Sequence, residues 1–335
     1  MNNFWLKFKK PILALAPMAG FTDSAFRQIC KSFGAQVVYS EMASVTALVY
    51  NPTKTLEMLK FSQAERPYVV QLFGSRPEHF TKAAQLLTSR RQISKLPRLS
   101  RLHEQDEREI PNYKLPQGID INFGCPVKKV AKQGAGAVLM NNLKLAREIV
   151  KSVIAATDLP VSIKCRSQVG QVDVLKFLDN LSDLDIKAVM IHGRSLAQGF
   201  SGPINTEIIK KAGNYFPGLI LANGGVRNYE DGIEILEKTK ADGLGIGRGA
   251  LGRPWIFRSL KTQKNYENAE KKEYIFKIAL KQAELAQKLK GEQGIVEMRK
   301  HLCFYVQGLP GAKKMREKLI KVESLEDIQK VFLKE

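Results

Sequence analysis

The sequence predicts a (β/α)8 TIM barrel followed by a small C-terminal α-helical domain. Three observations carry that prediction. Eight short apolar runs alternate with amphipathic stretches, polar residues gather where those runs end, and beyond Trp255 the pattern turns wholly helical. Eight strands separated by helices call for a parallel sheet, and eight is the number that closes a barrel. The runs are nearly continuous in apolar residues, as strands covered on both faces must be. An open doubly wound sheet shares that periodicity, so the choice rests on the strand ends.

The expected strands are Ile12–Ala16, Val37–Ser40, Tyr68–Leu72, Gly118–Asn122, Val161–Lys164, Ala188–His192, Leu219–Asn223 and Asp242–Ile246. Helical patterns lie between them at Ser24–Phe33, Pro77–Leu87, Leu143–Ala156, Val172–Leu184, Glu207–Ala212 and Tyr229–Glu237. Where the strands end stand Ser40-Glu41-Met42, Gln71, Asn122-Phe123-Gly124-Cys125, Lys164-Cys165-Arg166, His192-Gly193-Arg194, Asn223-Gly224-Gly225 and Gly247-Arg248-Gly249. Loops are polar in any protein. Amide, thiol, amine, imidazole and guanidinium groups at seven ends, several of them beside glycine, exceed that background, and a barrel would bring them to one mouth. The barrel is therefore assigned to residues 1–255 and the helical domain to 256–335, with helices at Glu273–Lys290, Val296–Tyr305, Ala312–Ile320 and Leu325–Phe332. One stretch, 89–114, breaks the rhythm. It opens with five basic residues and no acid, then swings acidic. An insertion that long is either a solvated loop or a contact for a nucleic acid.

Charge and cysteine usage bound the function. Lys plus Arg number 53 against 33 Asp plus Glu, a net charge of +20, so a polyanionic partner is expected. The four cysteines, with no CxxC pair, exclude a disulfide scaffold and a cysteine-rich zinc site, and the four scattered histidines give no metal pair. No apolar run reaches the ~20 residues of a membrane span. The basic start followed by Pro11–Phe21 imitates a signal peptide, but Pro11 and Pro17 bracket too short an apolar stretch. A cytoplasmic, monomeric protein with neither membrane nor metal is expected.

Cys125 sits on a Gly-Cys-Pro turn directly after a strand, where it would act as nucleophile or proton donor; a plain buried thiol is the other reading. Cys30, Cys165 and Cys303 suit that plain reading better. Glycines after the last two strands, Gly224-Gly225 and Gly247, let backbone N–H groups approach a phosphate, and Arg248 adds charge. No GxxxxGK[ST] loop exists, which removes most nucleoside-triphosphatase readings. With a phosphate there, Gln71, Asn122, Lys164 and His192 would meet the polar edge of a flavin, and a lysine beside that edge stabilises the reduced anionic ring. The combination points to FMN.

Leu15-Ala16-Pro17-Met18-Ala19-Gly20-Phe21-Thr22-Asp23, Ser40-Glu41-Met42, Gln71-Leu72-Phe73-Gly74, Asp120-Ile121-Asn122-Phe123-Gly124-Cys125-Pro126, Ile191-His192-Gly193-Arg194 and Gly247-Arg248-Gly249-Ala250-Leu251-Gly252-Arg253-Pro254-Trp255 closely resemble the tRNA-dihydrouridine synthases, in particular their bacterial B-type branch. Met298-Arg299-Lys300-His301 extends the resemblance into the tail. It implies an FMN-bound barrel and a helical tRNA-binding domain that together reduce the C5–C6 double bond of selected uridines, with NADPH (or NADH) as hydride source. By motif, Pro17, Met18, Ala19, Gln71, Lys164, His192, Asn223, Gly224, Gly225, Gly247 and Arg248 would hold FMN. Cys125 would be the general acid at uracil C5. Asn122, Lys132 and Arg166 resemble substrate-contacting positions. The chain departs from the family at the 89–114 insertion, where a shorter link is usual, and at Gly225, where related enzymes often carry Asp. Two rivals remain: an FMN barrel acting on a small molecule, such as a dihydroorotate-dehydrogenase-like protein, and a tRNA-binding protein without catalysis.

Overall fold

The computed structural model describes residues 3–89, 114–266 and 271–333. Most of the basic-then-acidic insertion lies outside the described residues. Eight parallel strands form the centre: β1 (Ile12–Leu15), β2 (Val37–Tyr39), β3 (Tyr68–Phe73), β4 (Gly118–Phe123), β5 (Val161–Arg166), β6 (Ile186–His192), β7 (Leu219–Asn223) and β8 (Gly243–Ile246). Each pairs with its sequence neighbours, and β1 closes the ring on β8. The doubly wound alternative is thereby excluded.

Two apolar layers hold the barrel. The interior is filled by Ile12, Ala14, Ala16, Val37, Tyr39, Val69, Ala188, Met190 and Leu221, and a single 3-10 turn (Phe4–Lys7) adds buried Phe4 and Trp5 to the same cluster. The outer layer lies between strands and helices. Alternating side chains along each strand serve the two layers, which is why the runs read as unbroken apolar sequence. The helices α1 (Ser24–Ser32), α2 (Pro77–Thr88), α3 (Leu143–Ala156), α4 (Val174–Asp179), α5 (Thr206–Ala212) and α6 (Tyr229–Thr239) follow β1 and β3 through β7. Five of the six open on an Asp or Asn whose side-chain oxygen accepts a backbone N–H of the first turn: Asp23, Asn142, Asp173, Asn205 and Asn228.

Beyond β8 come α7 (Ile256–Thr262), α8 (Lys272–Lys290), α9 (Glu292–Tyr305), α10 (Ala312–Leu319) and α11 (Leu325–Leu333). Their apolar faces join the outer layer in one continuous cluster that includes Phe26, Ile29, Met298, Leu302 and Phe332. Tail and barrel meet at the loop after β1. There Phe21 packs edge-on against His301 and Phe304, with ring centroids 5.4 and 5.8 Å apart, and His301 lies 5.0 Å from Phe26. Lys290 approaches Asp23 at 3.9 Å.

The barrel's connecting segments hold departures from the expected helices. Val172–Asp173 pairs with Gln168–Val169 as a hairpin, so helix α4 starts two residues later than the pattern suggested. Two six-residue helices, Val45–Tyr50 and Thr53–Met58, lie between β2 and β3 without having been anticipated. Among the described residues, no group of three His, Cys, Asp or Glu side chains is placed to hold a metal, and no helix is long and apolar enough to cross a membrane.

Candidate active site at the barrel mouth

Parallel register builds the site. Gln71 stands opposite Asp120, Asn122 opposite Lys164, Arg166 opposite His192, and His192 opposite Asn223. Residues spread over 150 positions of sequence thus occupy adjacent places at the carboxyl ends of β3 to β7. All of them except Asp120 line a cavity of about 1110 Å³ that also receives Pro17, Met18, Ala19, Cys125, Gly224, Gly225, Gly247 and Arg248. Of the residues singled out in the sequence, Lys132 alone is not among the lining. It is exposed at the end of the short helix Lys128–Ala131.

The glycines of the last two loops form a backbone cradle. Gly224 has φ +100°, and a Cβ there would fall 2.8 Å from His192 Cδ2. Neither the conformation nor the space admits a side chain, so the backbone itself faces the cavity. Cations surround the same opening: Lys164, Arg166, Arg194 and Arg248 all line it. Arg166 is fixed by three carbonyls, Gly124 at 3.0 Å, Ser195 at 3.0 Å and Gly199 at 2.8 Å. Among the described residues, the Lys164 ammonium has no hydrogen-bond acceptor. Burial, with Arg166 nearby, lowers its pKa to about 8, although Asp120 pulls the other way. Burial first, then the same ring of cations, pushes His192 down to about 2, so its imidazole is neutral at pH 7.

Cys125 is held by its turn. Asn122 Oδ1 accepts the Cys125 N–H at 2.9 Å and the Gly124 N–H at 3.1 Å. The thiol is 8% exposed and packs with Val130, Ala135, Met42 and Phe73. Burial raises its pKa, against opposing pulls from the Val127 backbone, Arg166 and Lys164. Its sulfur therefore carries a proton at neutral pH.

Two contributions escaped the sequence reading. Phe200, in the loop after β6, is 56% exposed at the mouth, with the Arg248 guanidinium 4.4 Å and the Arg166 guanidinium 5.7 Å from its ring centre. Phe304 and Gln307 bring the tail into the lining itself. An aromatic in an irregular loop has no period to mark it; only the cations around it give it meaning.

Fold and mouth together define a (β/α)8-barrel protein with its polar chemistry at the C-terminal end of the strands. The family model described as Dihydrouridine synthase (Dus) matches residues 14–94 and 111–334, and skips 95–110 inside the insertion. The chain is 30% identical over 93% of its length to "Probable tRNA-dihydrouridine synthase 1" of Synechocystis sp., covering 82% of that protein. It is 33% identical over 91% of its length to "tRNA-dihydrouridine synthase B" of Pseudomonas aeruginosa, covering 86% of it. Among solved structures, the old yellow enzyme homologue from Zymomonas mobilis shares the fold with TM-score 0.50 and 13% identity, over 75% of this chain and 88% of that one. Histamine dehydrogenase from Rhizobium sp. 4-9 matches with TM-score 0.50 and 12% identity over 88% of this chain, which spans about half, 49%, of that structure. The chain belongs to the dihydrouridine synthase family, a family of enzymes.

Proposed function

We propose that this protein is an FMN-dependent enzyme that reduces the C5–C6 double bond of uridines in tRNA to 5,6-dihydrouridine, with NADPH as reductant. One observation carries the reading. A single mouth joins a backbone cradle at Gly224, Gly225 and Gly247, a half-buried ammonium at Lys164 without an acceptor among the described residues, and a protonated thiol at Cys125. The donor set fits FMN: N–H groups and Arg248 for its phosphate, Lys164, Gln71 and His192 for the polar edge of its ring, and Pro17, Met18 and Ala19 for its apolar side. Bound there, FMN supplies hydride chemistry.

The reaction adds a hydride at C6 and a proton at C5, and the chain's part is the proton. Hydride addition leaves enolate character at C5, which a nearby acid must quench. Cys125 meets that need because its sulfur is protonated and fixed on the Asn122-anchored turn. The nucleophilic alternative needs an adjacent base. Among the described residues, the thiol has no side-chain hydrogen bond, and His192 is a cation-suppressed, very weak base. Asn122 and Arg166, which line the same mouth, would contact the uracil.

A base inside folded tRNA cannot reach a barrel mouth, so it must be turned out, at a cost of a few kcal/mol. Phosphate contacts by the basic tail, taken as a tRNA-binding domain over 256–335, would offset that cost in a cytoplasmic protein. Purified protein should be yellow and release FMN on denaturation. Mass mapping of tRNA from a deletion strain should show one class of uridine left unreduced; an unchanged map, or protein that refuses FMN, removes the reading.

A further inference from the structure

Asp120 lies fully buried in the barrel wall, outside the cavity lining, and takes no part in the reaction above. A carboxylate only accepts hydrogen bonds. Oδ1 takes the Ser162 hydroxyl at 2.7 Å, and Oδ2 takes Gln71 Nε2 at 2.7 Å. With Nε2 committed there, Gln71 turns Oε1 toward Asn122, which donates from Nδ2 at 2.8 Å. Asn122 then points Oδ1 at the N–H groups of Gly124 and Cys125, at 3.1 and 2.9 Å. The chain of amides runs from an end that only accepts to an end that only donates. Reversing either amide alone sets oxygen against oxygen or N–H against N–H, and in a buried site each such mismatch is costly.

We infer that Asp120 is a positioning residue: it holds the Gln71 and Asn122 amides in one direction, and through Asn122 it orders the turn that carries Cys125. The cavity then receives a defined pattern, a remaining Nε2 hydrogen and a remaining Oε1 lone pair of Gln71 in fixed order. That pattern suits a ring edge with alternating acceptors and donors. The extension to FMN rests on the function proposed above; the direction of the amide chain does not.

A residue swap tests it. Asn122→Asp alone places a carboxylate at both ends of Gln71, so one face of that amide must meet oxygen. Adding Asp120→Asn restores a consistent chain that runs the other way through Gln71. The new amide at 120 donates to Oε1, Nε2 donates to the new carboxylate at 122, and the Cys125 N–H keeps its oxygen. Thermal melts of full-length protein, with and without saturating FMN, should show Asn122→Asp lowered in Tm or unable to fold. The double variant should recover most of the loss, a coupling that additive effects cannot produce. FMN titration separates positioning from mere stability. The double variant, though stable, should bind FMN about tenfold more weakly than wild type, because Gln71 is reversed. Asp120→Asn alone keeps an acceptor for Gln71 and should bind more tightly than the double. A double variant no more stable than Asn122→Asp overturns the inference, as does an affinity that recovers in step with Tm. If wild type takes up no FMN while the melts show the recovery, the positioning role stands and the flavin reading falls.

Discussion

At Cys125 the deciding quantity is the proton on sulfur. Burial holds the thiol above its ordinary pKa even though Lys164 and Arg166 favour the thiolate. A group proposed as an acid is thus kept in its acid form. Cys125→Ala should leave flavin uptake and reduction by NADPH intact while product formation falls by about 10²–10⁴, the usual worth of a general acid. Wild-type product levels from that variant would move the acid elsewhere. Lys164 gives a second test, without flavin. Its pKa lies at about 8 in the folded chain and at 10.5 ordinarily. Between those values the unfolded chain binds a proton that the folded one lacks, so this group makes stability rise with pH there. Below about pH 8 both states are charged and the folded state bears the full burial penalty. Lys31 titrates in the same window, also lowered to about 8, so the informative quantity is a difference. In urea melts of flavin-free protein, Lys164→Met should be more stable than wild type at pH 7. That margin should shrink toward pH 10.5.

Among the elements, the loop after β8 does two tasks. Gly247 and Arg248 face the cavity, while Gly252 receives the end of α9. Gly252 has φ +67°, and a Cβ there would lie 2.4 Å from the Phe304 carbonyl carbon and oxygen. Gly252→Ala should therefore destabilise the protein by about 1–3 kcal/mol, the usual cost of overpacking. Because Phe304 lines the mouth, it should also loosen the tail, read as faster proteolysis after Trp255. The eight strands were legible because burial on both faces leaves an unbroken apolar run, and most of the helices between them because one apolar face repeats at helical spacing. The two helices between β2 and β3 were not: six residues span less than two turns, too few for a period to show. Of the fourteen residues expected to hold cofactor or substrate, thirteen line the cavity, as does Cys125; most stand at strand ends, whereas Pro17, Met18 and Ala19 were marked only by the family resemblance, and Phe200 and Asp120 were singled out by neither, since their importance lies in partners distant in sequence.

For the molecule as a whole, the +20 charge now has a geometry. The tail carries 18 basic and 11 acidic residues, and it contributes Phe304 and Gln307 to the mouth. Its Lys300 stands 5.4 Å from the centre of the Phe21 ring, itself at the opening. The tail therefore borders the pocket that Cys125 lines, and a tRNA held by phosphates on the tail would meet its opening. Such binding releases counterions, so its affinity must fall steeply with salt. If about six phosphates are engaged, raising salt from 50 to 200 mM should weaken tRNA binding about a thousandfold. Lys313 and Lys314 are exposed on α10 and touch neither cavity nor core. Replacing either by Gln should reduce the slope of log affinity against log salt by up to about 0.9, while leaving reduction of the flavin by NADPH unchanged. Fluorescence anisotropy with labelled tRNA at several salt concentrations reads the slope directly. A slope that both substitutions leave untouched would move the docking surface off this helix, to cations elsewhere around the mouth.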